Sequence, residues 1–79
     1  MSKLEKLIEK ILKLDKKLRF DELVKVLKRN GYKQSQPGNG SSHYTFRKEG
    51  KMPITIPKDN PVNIVYVELV RDALIEEGF

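Results

Sequence analysis

The sequence predicts a small α+β domain built from two amphipathic helices, a three-stranded antiparallel sheet and a last helix. Apolar residues recur every three to four positions over residues 3–16, 21–30 and 64–77, as in helices that bury one face. Between the second and third of these stretches lie three short segments separated by turn residues, which is typical of strands joined by hairpins. Helices gathered on one face of such a sheet give an α-β-β-β-α core with an extra N-terminal helix, at about residues 1–18 of a single domain.

Capping signals mark the ends of the predicted helices. Ser2 and Glu5 form a capping box at the start of the first helix, and Asn63 can cap the last one. Gly31 is placed to end the second helix, because glycine readily adopts the positive φ that the residue after a helix often needs. In the last helix we expect five residues to face inward: Tyr66, Leu69, Val70, Ala73 and Leu74.

Lysines form a row on the polar face of the first helix. The row consists of Lys3, Lys6, Lys10 and Lys13. Glu5 and Glu9 are spaced so that they can pair with part of the row. Such a row is usually the solvated side of an amphipathic helix, although it also suits contact with an anionic polymer.

The three strands are predicted over residues 32–36, 41–48 and 52–56. In the third strand, Met52, Ile54 and Ile56 are expected to face the core, because every second side chain of a strand points the same way. Pro53 has no N–H to donate to a neighbouring strand. The third strand is therefore expected at an edge of the sheet.

The second strand has the most informative pattern. Tyr44 and Phe46 point to one side, and aromatic residues on a strand are normally buried. His43, Thr45 and Arg47 therefore point to the other side, toward solvent. A face with the one histidine of the chain, a hydroxyl and an arginine suits a polar, anionic ligand.

Composition favours a nucleic-acid partner. The chain has 79 residues, no cysteine and a formal net charge of +5, and residues 1–30 carry ten Lys or Arg against five acids. A small basic domain favours anionic partners, among which nucleic acid comes first. The absence of cysteine fits a reducing cytoplasm. We expect a cytoplasmic protein, because no signal peptide is evident and no apolar run is long enough to span a membrane.

Three motifs resemble the HicA toxin family. The segment 40–46, Gly-Ser-Ser-His-Tyr-Thr-Phe, is followed by 54–57, Ile-Thr-Ile-Pro, and by 65–67, Val-Tyr-Val. The lead-in 20–32 is similar to the opening helix of that family and its glycine-aromatic exit. Many members have a single serine between the glycine and the histidine, whereas this chain has two, and a tyrosine follows where a second histidine would stand.

The resemblance implies an enzyme and a partner. HicA proteins share the double-stranded-RNA-binding fold and are ribonuclease toxins that cut messenger RNA with the histidine of this strand. By resemblance His43 is the catalytic residue, the substrate is mRNA, and a HicB-type antitoxin protein is the inhibitor.

Metal-independent RNA cleavage needs a base for the 2′-hydroxyl proton and cations for the charge on phosphorus, and imidazole suits the first role near neutral pH. The candidate RNA-binding residues are Lys33, Gly40, Ser41, Ser42 and Arg47. Lys33 and Arg47 supply cations, and the serines and the backbone N–H groups near Gly40 can bond phosphate.

A second interpretation is a non-catalytic RNA-binding or protein-interaction module on the same fold, because one scaffold can host both functions. With one histidine, the general acid would have to be a lysine, Tyr44 or water. We expect no metal and no other cofactor. One histidine with scattered carboxylates such as Glu49 and Asp59 does not make a ligand cluster, and the chain has no nucleotide-binding glycine loop.

Overall fold

The computed structural model describes residues 2–35 and 43–78. The elements, in order, are α1 (Lys3–Leu12), α2 (Phe20–Arg29), β1 (Lys33–Gln34), β2 (His43–Arg47), β3 (Ile54–Pro57) and α3 (Ile64–Glu76). The strands form one antiparallel sheet in the order β1-β2-β3. The predicted α+β architecture is confirmed: a double-stranded-RNA-binding-domain-like α-β-β-β-α core follows an extra N-terminal helix.

The helices cover one face of the sheet. α2 packs on β1 and α3 on β3, while α1 packs on the pair formed by α2 and α3. Phe46 is fully buried between sheet and helices, and α1 contributes the fully buried Ile11 to the same core. Tyr44 shares the inner side of β2 but is only half-buried, with its ring centroid 5.2 Å from that of Phe20. The N-terminal helix is therefore part of the packed domain.

Gly31 ends α2 with a positive φ, as predicted. Gly31 has φ +92°, and its N–H donates to the carbonyl of Lys28 at 3.1 Å. The N–H of Tyr32 donates to the carbonyl of Leu27 at 3.0 Å, which completes a Schellman motif. The motif reverses the chain direction and places Tyr32 in the core, where the side chain is buried.

The first helix is shorter than predicted. The prediction extended it to residue 16, but α1 ends at Leu12. Leu14 adopts φ 56°, and the N–H of Asp15 donates to the carbonyl of Lys10 at 3.0 Å, as in a helix-ending Schellman motif. The sequence does not predict that α1 ends here, because leucine is a good helix former and rarely adopts a positive φ.

Two residues predicted to face the core are exposed. Met52 is 83% exposed because β3 begins only at Ile54, so Met52 lies beyond the last paired position of the sheet. Leu69 is 44% exposed on α3, whose buried side is formed by other residues: Val67, Val70, Ala73 and Leu74. Apolar residues surround most of α3, so the helical period alone does not identify its buried side.

A loop before α3 is bonded to the segment before α2. The N–H of Val62 donates to the carbonyl of Leu18 at 2.8 Å, and the N–H of Phe20 donates to Oδ1 of Asn60 at 3.0 Å. Leu18 and Val62 are both buried. These bonds hold the starts of two helices together. Within residues 2–35 and 43–78, no helix is long and apolar enough to cross a membrane.

β3 lies at an edge of the sheet, as we predicted from the missing N–H of Pro53. The backbone carbonyl of Thr45 accepts from the N–H of Ser35, the residue after β1, so the backbone groups of Thr45 are directed away from β3. Directly opposite residues of an antiparallel pair alternate between bonded and unbonded, so its partner Thr55 directs its own N–H and C=O to the open edge. Pro53 and Pro57, two residues away on either side, have no N–H to offer there.

Candidate functional site

The face of the sheet opposite the helices carries the candidate residues. The exposed side chains of His43 and Arg47 and the half-buried Thr45 lie along this side of β2. The strand register places Lys33 beside Arg47 and Thr55 beside Thr45. We name this surface the sheet face; it comprises these five residues.

Hydroxyl groups cross the middle of the sheet face in a row. Oγ1 of Thr45 and Oγ1 of Thr55 are 3.0 Å apart, within hydrogen-bond distance. Oγ of Ser35 donates to the backbone carbonyl of Thr45 at 2.8 Å. The row runs from the residue after β1 across β2 to β3 and presents hydroxyls, which can donate to or accept from a ligand such as phosphate.

Lys33 and Arg47 are direct neighbours across the β1–β2 pair. Two like charges at opposite positions destabilise a sheet, and neither residue forms an ion pair within 2–35 and 43–78. Both border a groove of about 650 Å³, which we name the strand-end groove. Its lining residues are Gly31, Lys33, Gln34, Ser35, Arg47, Lys48, Glu49, Lys51 and Pro53. Four of these are cations and one is a carboxylate, and because Lys33 and Arg47 form no ion pair among the described residues, these two cations are available to an anion.

Two of these cations are paired with the end of α3. Nζ of Lys48 lies 2.6 Å from Oε1 of Glu77, and Nζ of Lys51 lies 4.0 Å from Oε2 of Glu76. Carboxylates are unfavourable at a helix C-terminus, so the lysines compensate for their position. The hydrogen bond from Lys48 holds the pKa of Glu77 below its ordinary value. Burial, followed by the charge of Glu77, raises the pKa of Tyr32.

The Lys48–Glu77 pair predicts a specific acid dependence of stability. The pKa of Glu77 is lower in the folded than in the unfolded protein, so the pair stabilises the fold above the ordinary carboxyl pKa and ceases to do so as pH falls through the lowered one. Lys48→Met should therefore lower the free energy of unfolding at pH 7, and the difference from the parent should shrink in acid. Urea unfolding of both proteins across this pH range measures it. Lys51→Met, whose pair is longer, is the control and should show a smaller difference; equal differences at every pH would contradict the assignment.

His43 lies at the other end of β2 from the strand-end groove. Arg47 is four positions further along the strand, which places it about 13 Å away at the usual rise of a strand per residue. Its Cα partner across the sheet is Pro57. The structure thus brings Lys33 and Arg47 together but brings neither to His43. The predicted residues Gly40, Ser41 and Ser42 lie outside the described residues.

Two cations of the strand-end groove were not predicted from the sequence. Lys48 and Lys51 line the strand-end groove, although neither was among the candidate site residues. Both flank the turn between β2 and β3, and their position depends on the end of α3, a long-range contact with no local signal. The alternation that places the two isoleucines of β3 inward leaves Thr55 outward, and pairing the strands around that turn identifies it as the neighbour of Thr45.

No group of three or more His, Cys, Asp or Glu side chains in the described part of the chain is placed to hold a metal ion. Comparison of the chain with protein-family models, with curated proteins and with solved structures finds no match.

Proposed function

We propose that the protein is a metal-independent endoribonuclease of the HicA toxin kind, which acts on messenger RNA in the cytoplasm with His43 as the catalytic residue. The observation that supports the proposal is the sheet face, where an exposed histidine, two threonine hydroxyls and two neighbouring cations lie on the side of the sheet opposite the helices. The resemblance of segment 40–46 to the histidine strand of that family points to the same residue.

The proposed reaction is an internal phosphoryl transfer. The His43 imidazole takes the proton of a ribose 2′-hydroxyl, and that oxygen attacks the adjacent phosphorus. The bond from phosphorus to the 5′-oxygen of the next nucleotide breaks, and that oxygen receives a proton. The products are a 2′,3′-cyclic phosphate end and a 5′-hydroxyl end, so no oxidant, metal or external nucleophile is needed.

The distance between His43 and the two cations of the sheet face supports different roles for them, bond breaking for His43 and RNA binding for Lys33 and Arg47. Arg47 lies about 13 Å from His43 along β2 at the usual rise per residue, and Lys33 is the cross-strand neighbour of Arg47. These two cations would therefore bind a different phosphate from the one at the imidazole. Such contacts hold an RNA strand in register without taking part in bond breaking. Tyr44 belongs to the inner side of β2, against Phe20, so a lysine or water suits the general-acid role better.

Cleavage of a single RNA tests the proposed reaction. We expect the protein to cut an unstructured mRNA fragment in the presence of EDTA and to leave 2′,3′-cyclic phosphate ends. The matched control is the same RNA with a 2′-deoxynucleotide at the cut position, which lacks the attacking hydroxyl and should stay intact there. Cleavage of the deoxy substrate, or loss of cleavage on adding EDTA, would exclude this mechanism.

A protein inhibitor belongs to the proposal. An acidic HicB-type antitoxin laid over the sheet face would cover His43 and neutralise Lys33 and Arg47, and opposite charges would speed its association. We expect such a protein to block RNA cleavage and to protect His43 from diethyl pyrocarbonate. A tight complex in which His43 stays reactive and RNA is still cut would rule out inhibition by covering this face.

One feature favours the alternative, a non-catalytic RNA-binding module. The two cations of the sheet face, Lys33 and Arg47, line the strand-end groove, at the opposite end of β2 from His43. In that case the protein would bind RNA with a salt dependence set by its phosphate contacts, and RNA would remain intact at every concentration.

A further inference from the structure

A second cationic surface lies on the helix side of the domain. A groove of about 260 Å³ runs between α1 and α2, and we name it the helix groove. Its lining residues are Lys3, Lys6, Leu7, Lys10, Glu22 and Lys25. Since α2 covers the inner side of the sheet and α1 packs on the helices, this groove and the sheet face belong to different sides of the protein.

The lysines of the helix groove converge on one flank of α1. At about 100° per residue, Lys3, Lys6 and Lys10 fall within about 60° of one another, beside Leu7. Lys25 of α2 faces them across the groove. Seven residues of helix span about 10 Å, so the cations extend along a line rather than around a point. A line of this length suits the backbone of a polymer.

These four lysines have no carboxylate partners in the described part of the chain. All four are exposed, and the ion pairs of the described residues involve other cations, including Lys13 with Glu9 at 2.8 Å. The one carboxylate of the groove, Glu22, accepts from the backbone N–H of Arg19 at 3.0 Å. Like charges four residues apart on a helix destabilise it slightly, so the cluster does not serve the fold.

The chemistry of the helix groove favours nucleic acid over protein. Protein interfaces are built around apolar or aromatic anchors and are depleted in lysine, whereas this groove offers lysines and the half-buried Leu7. Lysine ammonium groups bind phosphates as point charges and do not read bases. An RNA backbone would also neutralise the repulsion within the cluster.

We propose that the helix groove is a second, sequence-independent RNA-backbone site, with which one protein molecule holds a second stretch of RNA while the first lies on the sheet face. The inference rests on the proposed RNA binding at the sheet face and extends it to the opposite side of the domain. It gives the N-terminal helix a role in holding substrate in addition to packing.

Stoichiometry tests the inference. The probe is a short 2′-O-methyl oligouridine, which has no free 2′-hydroxyl and cannot be cut. We expect sedimentation equilibrium to find two oligonucleotides on one parent molecule and one on Lys6→Gln/Lys10→Gln. Glutamine preserves helix propensity, so both substitutions should leave the fold intact, and circular dichroism checks this. For longer RNA the same variant should reduce the slope of log K against log salt by about 1.4, for two lost contacts to single-stranded phosphates.

Two further variants separate this inference from the proposed function. Lys16→Gln/Lys17→Gln removes the same charge from exposed residues outside the helix groove and should still bind two oligonucleotides. Lys33→Gln/Arg47→Gln should bind one oligonucleotide, at the helix groove.

The number of bound oligonucleotides decides between the two proposals. If the helix-groove variant still binds two, the inference is wrong and the sheet-face proposal stands. If the sheet-face variant binds two, the RNA contact proposed for the sheet face is wrong instead. A last outcome concerns acidic protein. If the parent protein binds oligoglutamate as tightly as RNA, and only the helix-groove variant loses the binding of both oligoglutamate and the second oligonucleotide, the groove is a docking site for acidic protein. The RNA inference is then overturned.

Discussion

His43→Ala is expected to cut RNA about 10²–10⁴-fold more slowly than the parent while remaining folded, because it removes the proposed general base. His43 is exposed on the sheet face, and exposed substitutions usually change the free energy of unfolding by less than about 0.5 kcal/mol. The single-turnover rate with saturating enzyme measures the first effect, and thermal melting followed by circular dichroism measures the second.

Arg47→Gln is the matched control for this experiment. It lies on the same exposed side of β2, four residues away, and should weaken RNA binding while the single-turnover rate at saturation stays near that of the parent. A His43→Ala protein that cuts at the parental rate would remove His43 from the mechanism. One that loses its circular dichroism signal would show a structural role instead.

Phe46→Ala is expected to unfold much of the protein. Phe46 is fully buried on the inner side of β2, with its ring centroid 6.3 Å from that of Phe20. Truncating a buried phenylalanine costs about 3–5 kcal/mol, because it removes apolar burial and leaves a cavity. A core of this size rarely supplies more than about 3–5 kcal/mol of net stability, so the loss is comparable to the whole.

Tyr44→Ala separates burial from aromatic identity. Tyr44 shares the inner side of β2 and also contacts Phe20, but its side chain is only half-buried. Its truncation should therefore lower the free energy of unfolding by clearly less than that of Phe46, as measured by urea denaturation. Comparable losses would mean that contact with Phe20, rather than depth in the core, determines stability on this strand.

Local signals predicted the parts of this fold that depend on nearby residues. Oγ of Ser2 accepts from the N–H of Glu5, Oδ1 of Asn63 accepts from the N–H of Val65, and Gly31 ends α2 as expected. The alternation within β2 also separates the buried Phe46 from the half-buried Thr45 and the exposed Arg47 on either side of it. Each of these depends on side chains within a few positions, which is why sequence alone is sufficient.

Other features depend on tertiary contacts and could not be predicted in this way. The end of α1 at Leu12, followed by Leu14 with φ 56°, had no local signal, and the exposure of Met52 and the position of Lys48 beside α3 follow from where the elements begin and meet. For the candidate site, sequence predicted which residues share the outward side of β2. It did not place the cations of the strand-end groove together, because the strand register and the end of α3 determine that arrangement.

The prolines of β3 have a consequence for assembly. A sheet with a long open edge can recruit the edge of another copy and grow into a fibre. Here a second copy arriving at β3 would find one residue, Thr55, with both its N–H and C=O directed outward, while Pro53 and Pro57 offer no donor on either side. Two bonds are too few to extend the sheet, so concentrated protein is protected from polymerising through this edge.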